Sequence, residues 1–360
     1  MSEESGNRKL RVGVLGCGPI AQAAHFESCR KAQNVELYAI CDVADDLRER
    51  MTLEHSPKRA FRDYGEMLED ANLEAVVIAT SDPFHVSMAI RALEAGKHVL
   101  CEKPMGVSVE EVESLGEVVK RTGLVLNVGH MKRFDPGIQS AKAFIDTEMG
   151  ELVALKAWYC DSTHRYTVTN AVQPLLTKSA SAKKPAQDPK SDLKRYYMLA
   201  HGSHLLDTAR YLAGEIIEVE ARFSDRGGMH CWFIDARFAS GAMGHLDLTV
   251  AVRMDWHEGF QIYGSNGSVL GETFNPWLYK ASNVQIFKES DGAFHRTLGA
   301  DAHFYRRQVE GFANRILTGS ESGAADVTDG IASVRGMVAI AQSLESRKPV
   351  RLKDVAGFVR

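Results

Sequence analysis

At 360 residues the chain is long for one simple domain, and two are expected. Its composition, 44% hydrophobic and 25% charged, is that of an ordinary globular protein, and a net charge of -4 leaves no broad basic field for a phosphate backbone, so no nucleic-acid partner is expected. The acidic start Met1-Ser2-Glu3-Glu4 lacks the layout of a secretory signal, and no stretch offers the ~18 unbroken apolar residues of a membrane span. The six cysteines show no C-x-x-C pair and no clustering with His, which argues against a metal site or disulfide framework and favours a reducing cytoplasm.

Apolar runs and amphipathic stretches alternate over the first 130 residues or so. Strands are predicted over Leu10–Leu15, Val35–Cys41, Arg59–Phe61, Ala75–Ala79, His98–Cys101 and Leu124–Val128. Between them helices are predicted at Ile20–Lys31, from Asp45 to Met51, at Tyr64–Glu69, at His85–Glu94 and at Val107–Thr122, where Ser108 suits an N-cap. Strand-helix alternation of this kind argues for a doubly wound parallel sheet.

The first strand breaks into Gly16-x-Gly18-x-x-Ala21 and runs on into a helix. In a dinucleotide fingerprint Gly16 makes the tight turn, Gly18 lets the backbone approach a pyrophosphate, and the phosphates rest on unpaired N–H groups at a helix start beside Pro19 and Ile20. A glycine turn without any ligand gives the same pattern. Asp42 lies 21 residues after Ala21, at the end of the second strand, where a carboxylate accepts from adenosine ribose hydroxyls and repels a 2′-phosphate. NAD is therefore favoured over NADP, the alternative being a solvated acid or helix cap. Two more strand ends, Thr80-Ser81-Asp82-Pro83-Phe84-His85 and Glu102-Lys103-Pro104, belong where ligands bind in an open α/β sheet.

With these residues the chain resembles the Gfo/Idh/MocA family of oxidoreductases, above all through Glu102-Lys103-Pro104. The likeness continues in the segment from Gly129 to Pro136, in Gly202-Ser203-His204-Leu205-Leu206-Asp207, in Gly264-Ser265-Asn266-Gly267-Ser268 and in the helix carrying Asp329-Gly330. The resemblance implies an NAD-binding Rossmann domain over residues 1–130 and a substrate-binding and oligomerisation domain over 131–360, α+β with a large, mostly antiparallel sheet. It implies a homodimer or homotetramer, and a cofactor site built from Gly16, Gly18, Pro19, Ile20, Asp42, Thr80, Ser81, Pro83, His85, Glu102, Lys103 and Arg133.

Strands are predicted in the second half at Leu152–Cys160, Ile217–Phe223, Met229–Phe238, Ala242–Val250 and Gly259–Tyr263, close together without intervening helices, which suits antiparallel pairing. Helical patterns return at Leu205–Leu212, Ala302–Leu317 and Gly330–Glu345. The polar, lysine-rich stretch from Thr177 to Lys194 reads as a surface loop, either a substrate lid, an oligomer arm or an insertion without a role.

Oxidising a sugar or polyol needs a base for the hydroxyl proton while hydride leaves the same carbon for the nicotinamide. The resemblance gives Lys103 and His204 that proton relay across a cleft. A lysine beside the positive nicotinamide would be shifted toward neutral amine, because like charges disfavour the charged form. The family often carries Asp-x-x-x-His at this point, but the position four before His204 is Ala200. His201, Tyr196, Tyr197 or Asp207 are candidates for the missing polar group. His130, Lys132, Asp161, His164 and Tyr166 are further candidates for binding the substrate, with Tyr166, Trp158 and Trp277 offering apolar faces. The leading expectation is an NAD-dependent dehydrogenase acting on a secondary hydroxyl of a sugar, glycoside or cyclitol. The alternatives are a glycosidase or lyase that oxidises its sugar transiently, and a nucleotide- and sugar-binding regulator without turnover.

Overall fold

In the computed structural model, which describes residues 8–162, 175–182, 185–186, 189–298 and 302–360, the predicted strand-helix series of the first part of the chain is present nearly residue for residue. The strands β1 (Leu10–Leu15), β2 (Val35–Cys41), β3 (Arg59–Phe61), β4 (Ala75–Ile78), β5 (His98–Cys101) and β6 (Leu126–Val128) form one parallel sheet in the order β3-β2-β1-β4-β5-β6. This is a doubly wound sheet that reverses direction at β1. Val12, Val14, Ile40 and Val77 along its centre have no exposed surface, as runs buried on both faces require. Each such side chain contributes about 1.5–3 kcal/mol by leaving water.

The connecting helices obey local signals. A single π-helical turn at Ala21–His25 leads into α1 (Phe26–Lys31), where the sequence suggests one uninterrupted α-helix. The helices α2 (Asp45–His55), α3 (Tyr64–Glu69) and α4 (His85–Glu94) follow β2, β3 and β4. Ser108 caps α5 (Val109–Thr122) in a capping box: Glu111 N–H donates to Ser108 Oγ at 3.3 Å, and Ser108 N–H donates back to Glu111 Oε1 at 2.9 Å.

By spatial clustering the chain falls into two units, the first comprising Met1–Met131, Pro174–Ser191 and Tyr305–Ile331, the second Lys132–Gln173, Asp192–Phe304 and Ala332–Arg360. The first unit thus takes two segments from far along the chain. One is α9 (Phe304–Thr318) from Tyr305 onward, whose Val309, Phe312 and Ala313 complete the core cluster around β1 and α1.

The second unit is built on a mixed sheet of β7 (Leu152–Ser162), β8 (Ile216–Arg226), β9 (Met229–Phe238), β10 (Met243–Val252), β11 (His257–Gly264), β12 (Gly267–Thr273), β13 (Asn283–Lys288), β14 (Ala293–Arg296) and β15 (Val350–Arg351). Their order is β14-β13-β12-β11-β7-β10-β9-β8-β15. Pairing is antiparallel except between β7 and β10, which run parallel. Alternation along the strands buries Tyr159, Trp232, Ile234, Leu246, Leu248, Phe260 and Ile262 on one face. The opposite face exposes Val153, Phe233 and Met243. Sequence patterning passed over α6 (Pro136–Thr147), although Asp135 and Pro136 are a strong start signal: Asp135 Oδ1 accepts from Gly137 N–H at 2.7 Å, with Pro136 at the first helical position. It also passed over β12 to β15 and over α7 (Leu193–Tyr197), which begins inside the stretch read as a loop. From α7 the chain passes through a π-helical turn, Met198–Gly202, into α8 (Ser203–Ala213), and α10 (Val327–Ser346) precedes β15 near the end of the chain.

Candidate functional site

In the first unit the candidate site lies at the carboxyl ends of the parallel strands. Gly16 has φ +95°, and a Cβ built there would lie 2.8 Å from the Ala79 carbonyl oxygen, so the turn after β1 requires glycine. At Gly18 a Cβ would meet nothing within 4 Å. That open approach to the backbone is what a pyrophosphate needs. Asp42, at the end of β2, accepts from Cys17 N–H at 2.7 Å and from Ala44 N–H at 2.8 Å, which ties the glycine turn to the carboxylate. Burial first, and Asp42 next, push the Cys17 thiol up, so it stays neutral beside that carboxylate. Thr80 Oγ1, after the end of β4, is buried with no hydrogen-bond partner among the described residues, an acceptor-donor left over for a ligand. These features fit the nucleotide that the sequence implies.

Neighbouring candidates are held by the fold. Ser81 precedes a single 3₁₀ turn, Asp82–Phe84, that contains Pro83. His85 is buried with Nδ1 2.8 Å from the Pro104 carbonyl oxygen and Nε2 3.1 Å from that of Thr80, so it braces one strand end against the next. Glu102 is buried as well, with Oε1 2.8 Å from His25 Nε2, while Oε2 accepts from Lys103 N–H at 3.1 Å. Burial alone would push its carboxyl up, but His25, Lys103 and His85 outweigh that and hold it below the usual glutamate range. Lys103 is therefore fixed through its own backbone by an ionised carboxylate. His130 follows β6 and is 2% exposed.

In the second unit β7, the end of α7, the π-helical turn after it and the start of α8 bring together a buried aromatic and charged cluster. His201 Nε2 lies 3.1 Å from Asp161 Oδ2, and its Nδ1 lies 3.3 Å from the Tyr159 hydroxyl. The Tyr159 ring is parallel to that of His204, with centroids 6.2 Å apart, and Tyr197 stacks on His201 at 5.9 Å. Lys132 Nζ sits 4.4 Å over the Tyr159 ring and pairs with Glu258. Burial raises the Glu258 carboxyl, and Lys132 opposes the rise without cancelling it. Arg133, which the resemblance places at the nucleotide, has its guanidinium on Asp207, with Nη2 to Oδ1 2.6 Å. Asp207 is thereby held by Arg133. Asp161, which is close to His201, was accessible from its identity alone but not from any spacing to His204. Glu258 and Tyr159 carried no motif. His164 and Tyr166 lie outside the described residues.

Among the described residues no group of His, Cys, Asp and Glu is arranged to hold a metal ion, and no helix is long and apolar enough to cross a membrane. The family model described as an oxidoreductase family with an NAD-binding Rossmann fold matches residues 10–130, and the C-terminal domain model of the same family matches 138–270. A myo-inositol 2-dehydrogenase of Thermotoga maritima is 25% identical over 97% of this chain and 100% of its own length. An NAD(+) scyllo-inositol 2-dehydrogenase of Bacillus subtilis is 24% identical over 96% of each chain. Among solved structures, a levoglucosan dehydrogenase in complex with NADH and L-sorbose superposes with a TM-score of 0.79 at 21% identity, over 97% of this chain and 100% of that one.

Proposed function

Because the chain belongs to the Gfo/Idh/MocA family of NAD-binding oxidoreductases, we propose that it is a dehydrogenase that oxidises a secondary hydroxyl of a sugar, glycoside or cyclitol. The observation that carries this reading is the cluster of Asp161, His201, Tyr159 and His204, which gathers acid-base groups and aromatic faces where the helix lacks a carboxylate at Ala200. A polyhydroxylated substrate needs such a mixture of donors, acceptors and apolar ring faces. The names of the inositol dehydrogenase relatives support the same substrate class.

NAD, when bound, supplies the acceptor for the hydride that leaves the carbinol carbon. Lys103 Nζ, as neutral amine, takes the hydroxyl proton as the C–O bond becomes a carbonyl, so the products are a ketone, NADH and a protonated lysine. His204 is the second proton-exchanging group, stacked on Tyr159. Asp161 is a positioning residue that orients His201 in place of the absent carboxylate at 200. Asp42 selects NAD through the ribose hydroxyls. The reading includes a homo-oligomer that covers the exposed sheet face bearing Val153, Phe233 and Met243.

The test is NADH formation with a panel of inositols, aldoses, ketoses and anhydrosugars, followed by Lys103→Met. That substitution should lower kcat about 10²–10⁴-fold, with a far smaller change in NADH affinity. Failure of the whole panel to reduce NAD, or a fully active Lys103→Met protein, would overturn the reading. Cleavage of a glycoside without net NADH would replace it with transient oxidation.

A further inference from the structure

Residues 175–182 have no helix or strand of their own, and they are nevertheless fixed at three points on the first unit. Gln22, 6% exposed, clamps Thr177 through its backbone: Thr177 N–H donates to Gln22 Oε1 at 2.8 Å, and Gln22 Nε2 donates to the Thr177 carbonyl at 3.1 Å. The same Nε2 donates to the Cys17 carbonyl at 2.8 Å, inside the glycine turn itself. A few residues on, Ser179 Oγ and Ser181 Oγ both donate to Asp46 Oδ1, at 2.7 and 2.8 Å, in the first turn of α2 and just past Asp42. Ala182 then packs on the core cluster that contains Ala21 and Leu47. Thr177, Ser179 and Ala182 are the half-buried members of the segment, while Leu175, Lys178 and Ala180 face water.

The segment therefore bonds at one end to Gln22, which also holds the Cys17 carbonyl, and at the other to Asp46 in the first turn of α2, while Cys17 N–H donates to Asp42. The geometry points to a role for 175–182 as a strap over the ribose end of the NAD site, which opens to admit the nucleotide and, when docked, slows its release. A segment held by a few side-chain hydrogen bonds and one alanine is held weakly enough to open, since hydrogen bonds exchange with water at little net gain. Ser179 and Ser181 lower the Asp46 carboxyl, so the α2 anchor is ionised in the docked state. The inference rests on nucleotide binding and is independent of the substrate.

The experiment has two readouts that need no turnover. NADH release is measured by stopped-flow fluorescence on the wild type, on Ser179→Ala/Ser181→Ala, on Thr177→Ala, and on a chain whose residues 175–182 are replaced by a Gly-Ser segment of equal length. Cleavage after the exposed Lys178 by trypsin is followed with and without NADH. The strap predicts release faster by about tenfold in the double serine variant and more in the replacement, with Thr177→Ala unchanged because Thr177 is held by its backbone. It predicts that saturating NADH slows cleavage after Lys178 about tenfold, and more than cleavage after Lys190. If the replacement does not fold, the serine variant and the protection assay on the wild type decide. Wild-type release rates from a strap-free or serine variant, or cleavage after Lys178 indifferent to NADH, would overturn the inference.

Discussion

Lys132 and Glu258 form an ion pair in which both side chains are only 5% exposed, so removing the lysine leaves a carboxylate without its cation in a dry site. Breaking a buried pair from one side costs about 3–5 kcal/mol, whereas replacing both partners by apolar groups is often neutral. Lys132→Met should therefore lower the unfolding midpoint of the second unit by roughly 6–20 °C. Lys132→Met/Glu258→Met should recover most of that loss. The sign with pH follows from the folded carboxyl already lying above its ordinary value of 4.5. A raised acid favours the folded state while protonated, and that contribution is lost as pH rises through the folded value. Removing Lys132 raises the folded value further, so the deficit should be large near neutral pH and shrink below the ordinary glutamate range. Urea unfolding followed by tryptophan fluorescence at several pH values is the assay, with Trp256, 5.1 Å from Tyr159, as a local reporter. A loss under about 1 kcal/mol at neutral pH, or an equal loss at acid pH, would refute the reasoning.

The glycine turn separates fold from binding. Gly16→Ala should destabilise the first unit by about 1–3 kcal/mol, from positive φ and the clash with Ala79, as read by thermal unfolding. A Cβ at Gly18 meets no atom of the described residues within 4 Å, so Gly18→Ala should leave stability intact while NADH affinity, measured by fluorescence titration, falls by about tenfold or more. His25→Leu should cost about 3 kcal/mol at neutral pH by removing the partner of buried Glu102. Because the Glu102 carboxyl is lowered in the folded protein, its contribution is present above the ordinary glutamate value and lost as pH falls through the folded one. A pH-independent His25→Leu deficit would contradict that assignment.

The first unit was readable from sequence because its signals are local. Buried parallel strands are short apolar runs, and Ser108 with Glu111 announces a helix start wherever it occurs. Gly16 is required by its own φ, and Asp42 stands out by its distance along the chain from the turn. The family likeness drew on the same local motifs. In the second half, β12 carries two glycines, β13 alternates over only a few residues, and β14 and β15 are four and two residues long, too little pattern for a strand signal, while α6 has the Asp135-Pro136 start.

Other features had no local signal. That β10 lies parallel to β7 among antiparallel neighbours depends on which strands meet across a sheet. Ala200 marks an absent carboxylate, but only the packing of β7 against the π-helical turn Met198–Gly202 sets Asp161 beside His201. Glu258 reads as an ordinary strand residue until Lys132 is found against it, and Gln22 reads as one polar residue of a helix until Thr177 arrives from far along the chain. The sequence by itself determined the NAD-binding Rossmann fold, since that follows from strand-helix alternation and from the geometry of the glycine turn. Tertiary structure decided which charges are buried, which carboxylate meets which histidine, and what lies over the glycine turn, because each of these depends on contacts between residues that no period or motif connects.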